Sequence, residues 1–181
     1  FRDIVVDVVV IEVFSRALAS GHFDGFAFDV AGITQLGSDH IDFHGSIEKY
    51  YMVKAKLIAN HLAPGGSVVL GPRVSSVGAV RLALAARPDV VAHEACAESS
   101  EGSEEFCVRM ADRPLFEHDN FLCAILILRQ LGYSKRDAED ALTNFSPVPG
   151  RFCVLRSEER RRPSVVVAYV QNESAMRRCL E

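Results

Sequence analysis

The sequence predicts an α/β protein with a mainly parallel sheet flanked by helices, and three observations support this prediction. Strand-like and helix-like segments alternate along the chain, as a parallel sheet requires. The first of them, residues 4–13, is rich in β-branched residues and apolar on both faces, the pattern of a strand covered by helices on each side. Hydrophobic residues make up 49% of the 181 residues, enough for a packed core.

The predicted elements after that first strand are separated by glycine, proline and polar turns. A long helix begins at Ser46, which can cap it, and is expected to stop at Pro64, Gly65 and Gly66. The other predicted elements are, in order, helix 15–19, strands 26–34 and 67–70, helix 77–86, strands 90–93 and 105–110, helices 121–131 and 135–142, strands 152–156 and 164–169, and helix 174–180.

Composition and charge exclude several functional classes. The formal net charge of -4 argues against nucleic-acid binding, because such domains carry a basic excess on one face. The basic run 160–162 follows two glutamates and is interpreted as a solvated loop. The longest apolar run, residues 4–13, contains two acidic residues and is much shorter than a membrane span, so we expect no membrane insertion.

The cysteine pattern favours a reducing, cytoplasmic location. The 5 cysteines are widely spaced without a C-x-x-C pair, so neither a disulfide framework nor a zinc ribbon is indicated. The chain begins with Phe1 and enters an apolar segment almost at once, and we therefore expect further sequence upstream. The sequence gives no indication of the oligomeric state.

The densest cluster of reactive side chains lies between the second strand and the long helix, at Asp39, His40, Asp42 and His44. In parallel α/β sheets ligands bind beyond the carboxyl ends of strands, where this loop is expected. Two histidines and two aspartates at this spacing can ligate a divalent cation. The same residues can equally form a solvated loop in which the aspartates cap a helix. Spacing alone leaves both interpretations open.

The segment 32–56 resembles a known family signature. It reads G-I-T-Q-L-G-S-D-H-I-D-F-H-G-S-I-E-K-Y-Y-M-V-K-A-K. This run is similar to the T-N-L-x-x-D-H-L-D-Y-H-G-x-x-E-x-Y-x-x-A-K signature of the Mur ligases. Within that family it is most similar to the MurE type, the UDP-N-acetylmuramoyl-tripeptide synthetases. So many matches in one gapless stretch are hard to obtain by chance.

Other stretches resemble the same family in the same order. E-V-F-S at 12–15 resembles its E-V-S-S, Asn120 and the apolar helix after it resemble its N-x-L-A-A helix, and P-V-P-G-R at 147–151 matches its loop of that sequence. The resemblance implies a three-layer Mur-ligase central, ATP-binding domain at residues 1–157, truncated at its N-terminal P-loop. Residues 158–181 are then expected to form the first strand and helix of a C-terminal, Rossmann-like ligase domain.

The resemblance implies an ATP-dependent amide ligase of peptidoglycan precursor synthesis. Mur ligases use ATP to phosphorylate the terminal carboxylate of a UDP-sugar peptide, and the amine of an incoming amino acid attacks the acyl phosphate. Magnesium neutralises the negative charge that gathers in this step. The implied cofactors are ATP and Mg²⁺, and the implied partners are UDP-N-acetylmuramoyl-peptide and an amino acid, whose identity is left open.

The resemblance assigns three catalytic, metal-binding residues. Glu12 and His40 fall where the family places magnesium ligands, and Lys54 aligns with the lysine that is carbamylated in MurE-type enzymes. A protonated lysine cannot bind a cation, whereas the anionic carbamate formed from its neutral amine and carbon dioxide can. The alternative for Glu12 is a partner for a nearby basic group at a strand end, and the alternative for Lys54 is an ordinary surface lysine.

Five further residues receive roles in the same way. Asn120 and Arg151 fall on the ATP side of the family site, where an arginine can offer a two-pronged hydrogen bond to phosphate. Ser15, Asp39 and His44 are the expected substrate-binding residues. Without the family, Asn120 would be interpreted as a helix cap and Arg151 as a solvated turn residue.

Several family features are not found in these residues. The phosphate-binding loop G-T-N-G-K-T, which precedes E-V-S-S in the family, is absent, so this chain alone is not expected to turn over ATP. The departures at polar family positions are Phe14, Arg16, His22, Gln35, 70–73, Glu117, Cys153, Ala168 and Gln171. They leave open a non-catalytic, degenerate binding or assembly module as the alternative. A folylpolyglutamate or cyanophycin synthetase is a weaker option, because its D-H motif usually lacks the D-Y-H-G continuation.

Overall fold

The computed structural model describes residues 5–95, 115–146, 148–151, 153–155, 165–170 and 173–180. The elements in chain order are α1 (Ser15–Ala19), β1 (Phe28–Ile33), α2 (Ile41–His44), α3 (Ile47–His61), β2 (Leu62–Leu70), a 3-10 turn (Val74–Ser76), α4 (Gly78–Ala85), β3 (Val91–Glu94), α5 (Leu115–Gln130), α6 (Lys135–Thr143), β4 (Cys153–Leu155), β5 (Val165–Val167) and α7 (Glu173–Leu180). Within these ranges no helix has both the length and the hydropathy to cross a membrane.

A parallel sheet of three strands, in the order β1-β2-β3, forms the centre of the fold. Ala31 of β1 lies beside Val68 of β2, and Val69 of β2 lies beside His93 of β3. A separate two-stranded sheet pairs β4 with β5 in the antiparallel direction. The predicted α/β architecture with a mainly parallel sheet is therefore confirmed.

Alternating residues of β2 face two different helical layers. Val68 and Leu70 are fully buried in one core cluster, which also contains Ile58 of α3 and Val80 of α4. Val69 points the other way into a second cluster formed mainly by α5. Successive strand residues point to opposite faces, so this pattern shows helices on both sides of the sheet. Each such aliphatic side chain contributes about 1.5–3 kcal/mol by its burial.

A direct backbone contact joins the carboxyl ends of β1 and β2. The Gly71 N–H donates to the Ile33 carbonyl at 2.9 Å. A Cβ atom on Gly71 would lie 1.8 Å from the Thr34 carbonyl oxygen, so no other residue fits without moving the backbone. This contact sets the starting point of the loop that runs from β1 to α2.

Both ends of α3 have hydrogen-bond partners. At its start the Ser46 hydroxyl accepts from the Lys49 N–H, as predicted from the sequence. At its end the Arg87 guanidinium lies against free carbonyl oxygens and pairs with Asp89 at 2.8 Å. The carbonyls that accept from Arg87 are those of Ile58, Ala59, Leu62 and Ala63. Arg87 thus satisfies acceptors that a helix end leaves open.

The prediction of a buried strand at 4–13 is wrong for its described part. Residues 5–13 form no strand, and Val5 and Val10 are 93% and 90% exposed. A strand that is apolar on both faces needs a neighbouring strand for its backbone and helices over its side chains. Among the described residues no strand pairs with this segment.

The predicted turn at Pro64, Gly65 and Gly66 is also wrong, because these residues lie within β2. The pairing of β1 with β2 jumps from Phe28–Leu62 to Val30–Ser67, which leaves the intervening residues of β2 in an irregularity. Proline and glycine are tolerated in strands at such irregularities.

Most other element predictions are confirmed, with shifted ends. Helix α5 begins at Leu115, ahead of the predicted 121, and the four-residue helix α2 was not predicted. The predicted strand 105–110 lies outside the described residues. So does the predicted domain boundary between 157 and 158, and the assignment of two domains stays a prediction.

Candidate functional site

The candidate site lies beyond the carboxyl end of β1 and has two sides. The side that carries the predicted metal-binding and substrate-binding residues is called the acid side, after its carboxylates. It consists of residues 12–16 around α1 and residues 39–54, from the end of the β1–α2 loop to the middle of α3. The nucleotide side consists of residues 116–151, from α5 to the turn after α6, and residues 165–179 from β5 to α7, as far as these are described.

Lys54 connects the segments of the acid side. Its Nζ donates a hydrogen bond to the Val13 carbonyl at 3.1 Å, next to Glu12 in the chain. Burial lowers the pKa of Lys54, while the negative charges of Asp39 and Glu12 act in the opposite direction. The predicted magnesium ligand Glu12 and the predicted substrate residue Asp39 are therefore both electrostatic neighbours of the Lys54 amine.

Asp39 holds His40 in an unusual backbone conformation. His40 has φ 51°, in the left-handed region, which costs a non-glycine residue about 1–2 kcal/mol. The Asp39 carboxylate accepts the backbone N–H of His40 at 2.9 Å and lies 3.6 Å from the His40 ring Nε2. The same carboxylate thus fixes the backbone of His40 and lies beside its ring at the start of α2.

A buried hydrogen bond joins α1 to α2. Only 3.0 Å separates His44 Nε2 from the Ser15 hydroxyl, and these residues are 8% and 3% exposed. Burial lowers the pKa of His44, with a smaller contribution from His40. The lowered pKa favours the neutral ring, and a neutral imidazole can share a proton with a hydroxyl in either tautomer.

Arg16 makes a second, exposed connection between the same helices. Its guanidinium lies 3.4 Å from the Asp42 carboxylate and 5.3 Å from the centre of the Phe43 ring. Arg16 is one of the departures from the family pattern, and the sequence assigns it no role. Its charge offered a signal for an ion pair, but the sequence did not show that Asp42 would be the partner.

The structure places Glu12, His40 and Lys54 on the acid side, but it does not test their metal-binding role. Over the described ranges no group of three or more His, Cys, Asp or Glu side chains has a metal-binding arrangement. Lys54 is not among those residue types, and a carbamate on it would add a ligand that such a group lacks. The three ligand assignments stay predictions.

A cavity of about 440 Å³ occupies the nucleotide side. Both residues predicted to lie near ATP, Asn120 of α5 and Arg151, contribute to its wall, together with Phe121 and Phe145. Arg151 lies in a turn after Gly150, and its guanidinium carbon is 4.8 Å from the centre of the Tyr169 ring. The cavity therefore combines a largely apolar wall with the guanidinium of Arg151, the amide of Asn120 and the carboxylate of Glu117.

A second, more open cavity of about 580 Å³ lies against the loop at 38–42, and Tyr169 and Val170 form its opposite wall. Tyr169 was not predicted as a site residue. Its signal in the sequence was the tyrosine of A-Y-V-Q at 168–171, which resembles the D-Y-A-H of the family, and the changed residues around it obscured that signal.

Comparisons with known proteins agree on one family. A UDP-N-acetylmuramoyl-L-alanyl-D-glutamate–2,6-diaminopimelate ligase of Geobacillus thermodenitrificans is 28% identical over 201 residues, covering 97% of this chain and 40% of that protein. The ligase of the same name from Xylella fastidiosa is 30% identical over 193 residues, covering 97% and 39%. This chain thus spans about 40% of the length of these curated relatives.

A solved structure shows the same fold. MurF from Acinetobacter baumannii matches with a TM-score of 0.63 at 16% sequence identity, covering 82% of this chain and 36% of that one. The family model described as the Mur ligase middle domain matches residues 2–100. Because that match covers more than half of the 181 residues, the chain belongs to the Mur ligase family.

Proposed function

We propose that this chain forms the central domain of an ATP-dependent ligase that adds 2,6-diaminopimelate to UDP-N-acetylmuramoyl-L-alanyl-D-glutamate in the cytoplasm. The observation that carries the proposal is the contact of Lys54 with the Val13 carbonyl, in an environment shared with Glu12 and Asp39. It brings the two signature segments, 12–15 and 39–54, to one place. The names of the relatives supply the amino acid and the sugar peptide.

The proposed reaction has two steps. The terminal carboxylate of the UDP-sugar peptide attacks the γ-phosphorus of ATP, and ADP leaves. The amine of diaminopimelate then attacks the acyl phosphate, so that a C–N bond forms, the C–O bond to phosphate breaks, and phosphate and a proton are released. Phosphate is a far better leaving group than oxide, so forming the acyl phosphate lowers the barrier to attack by the amine.

Glu12, His40 and Lys54 are the residues proposed to hold Mg²⁺. A lowered pKa increases the neutral fraction of the Lys54 amine, the form that reacts with carbon dioxide. The carbamate would offer oxygen atoms, which magnesium prefers as ligands. Bound magnesium would neutralise charge on the transferred phosphoryl group.

The remaining site residues are proposed to hold the substrates. Asn120 and Arg151 would contact ATP from the wall of the 440 Å³ cavity. Ser15 and His44 would shape the sugar-peptide side through their mutual hydrogen bond, and Asp39 would orient His40 toward it.

The test replaces Lys54 in the complete protein that contains this chain. With ATP, UDP-N-acetylmuramoyl-L-alanyl-D-glutamate and diaminopimelate, we expect ADP release that requires both other substrates and a product mass that shows the new amide. Lys54→Ala should lower the rate by about 100-fold or more, since it removes a proposed metal ligand. Lys56→Ala is the matched control, because Lys56 is an exposed lysine of the same helix.

Two results would contradict the proposal. Equal rates for the Lys54 and Lys56 variants would remove Lys54 from the mechanism. ADP release that does not depend on the sugar peptide would contradict the ligase reaction itself.

The alternative is a non-catalytic Mur-ligase-like binding or assembly module. The ion pair of Arg16 with Asp42 favours it, because a cation absent from the family signature occupies a carboxylate of the D-H-I-D-F-H-G segment. Magnesium-dependent binding of ATP at micromolar concentration, measured by calorimetry, would count against this alternative.

A further inference from the structure

Tyr169 lies between the two cavities of the site. Among the described residues it alone lines both the 440 Å³ cavity with Asn120 and the 580 Å³ cavity beside Asp39 and His40. Tyr169 is 59% exposed, so a molecule in either cavity can reach the ring.

The ring of Tyr169 meets the side chain of Arg151. A tight turn fixes the backbone of Arg151, since its N–H donates to the Val148 carbonyl at 2.9 Å and Gly150 before it has φ 81°. The turn does not fix the long side chain, which is exposed. The guanidinium carbon lies 4.8 Å from the centre of the Tyr169 ring, a distance suited to a cation–π contact. Such a contact restricts the Arg151 side chain.

The surroundings of Tyr169 differ from the family pattern. Where the family has D-Y-A-H, this chain has Ala168, Tyr169, Val170 and Gln171, so the acidic and imidazole side chains are replaced while the aromatic ring is kept. In this chain the tyrosine ring therefore lacks the neighbouring aspartate and histidine of the family pattern. Arg151 is a cationic neighbour of this ring.

We propose that Tyr169 is a positioning residue whose ring holds the Arg151 guanidinium in the wall of the 440 Å³ cavity, where it meets the phosphates of a bound nucleotide. The inference rests on the proposed function, because it takes the cavity with Asn120 as the nucleotide site. A planar guanidinium stacked on a ring is pre-organised and loses little freedom when it binds phosphate. An exposed contact of this kind is worth roughly two- to five-fold in an equilibrium constant.

The first experiment is a double-mutant cycle on the complete protein. The probe is a fluorescent ATP analogue with magnesium, and the measured quantity is its dissociation constant. Tyr169→Leu should raise that constant roughly two- to five-fold, whereas Tyr169→Phe, which keeps the ring, should leave it near the wild-type value. In the Arg151→Ala background Tyr169→Leu should have no further effect. Tyr133→Leu is the control, since Tyr133 is a half-exposed tyrosine outside both cavities.

The second experiment observes the contact without nucleotide. The Nε–Hε signal of Arg151, identified by its loss in Arg151→Ala, should carry a ring-current shift that disappears in Tyr169→Leu and persists in Tyr169→Phe. An unchanged signal in Tyr169→Leu would overturn the proposed contact.

The outcomes of the cycle separate this inference from the proposed function. If the wild-type protein binds the probe and Tyr169→Leu weakens binding equally in both backgrounds, or not at all, the positioning role is wrong and the ligase proposal stands. If the wild-type protein binds no nucleotide, both are overturned.

Discussion

The acid side of the site has a buried hydrogen bond beside its exposed ion pair, whereas the contact that holds Arg151 on the nucleotide side lies at the surface. The hydrogen bond of His44 with Ser15 is closed to solvent, and Lys54 is half-buried where it meets the Val13 carbonyl. The nucleotide side depends on exposed contacts, such as that of Arg151 with Tyr169.

The difference indicates two kinds of task. Buried contacts hold groups in one geometry, which suits the residues proposed to bind the metal ion and align the carboxylate. Exposed contacts form and break at low cost, which suits a wall that must admit and release a nucleotide. The comparison predicts that removing a buried contact of the acid side costs more stability than removing an exposed contact of the nucleotide side.

The largest effect is expected in the core beneath the acid side. Ile58 of α3 has no exposed surface, and Ile58→Ala should lower the free energy of unfolding by about 2–5 kcal/mol, because it removes buried contacts and leaves a cavity. Leu180→Ala in the exposed end of α7 should change it by less than about 0.5 kcal/mol. Urea denaturation of both variants measures the contrast, and similar losses would contradict it.

A smaller effect is expected from the buried hydrogen bond. His44→Ala should cost about 1–3 kcal/mol, because the Ser15 hydroxyl loses its partner. The folded pKa of His44 lies below its unfolded value of 6.5, so protonation favours the unfolded chain and wild-type stability should fall as the pH drops below that value. Urea titrations at several pH values should show a weaker decline in His44→Ala. His22→Ala, at an exposed histidine, should keep the wild-type pH dependence.

The smallest effect is expected at the ion pair that joins α7 to α5. Arg178 and Asp119 are partly exposed, and Arg178→Ala should cost no more than about 1 kcal/mol. Salt screens such pairs, so the difference from wild type should shrink at high ionic strength. Chemical denaturation with and without added sodium chloride tests this. A large loss that salt does not change would show that the nucleotide side is held as firmly as the acid side.

The sequence predicted those parts of the fold that follow from local periodicity and capping. The helix from Ser46 and the strands around Val68 and Val91 are of this kind, since apolar spacing and a capping hydroxyl are local signals. The prediction of a turn at residues 64–66 was wrong because these residues form an irregularity within β2. Such an irregularity depends on the partner strand, about which the local sequence carries no information.

The site was predictable as a set of segments and not as a set of contacts. The resemblance indicated Glu12, His40 and Lys54, and the structure brings their segments to one side. The acceptor of the Lys54 hydrogen bond is a backbone carbonyl, which has no side-chain signal at all. The contact of Arg151 with Tyr169 joins residues far apart in the chain, and no spacing rule connects them.

The exposed apolar segment at 5–11 has a consequence for the solubility of this chain. It offers six valine and isoleucine side chains to solvent, interrupted by Asp7 alone. Short stretches of β-branched residues with little charge and no proline are prone to form intermolecular β-sheets. In concentrated solution, molecules of this chain should therefore associate through residues 5–11, and Asp7 is the charge that opposes this association.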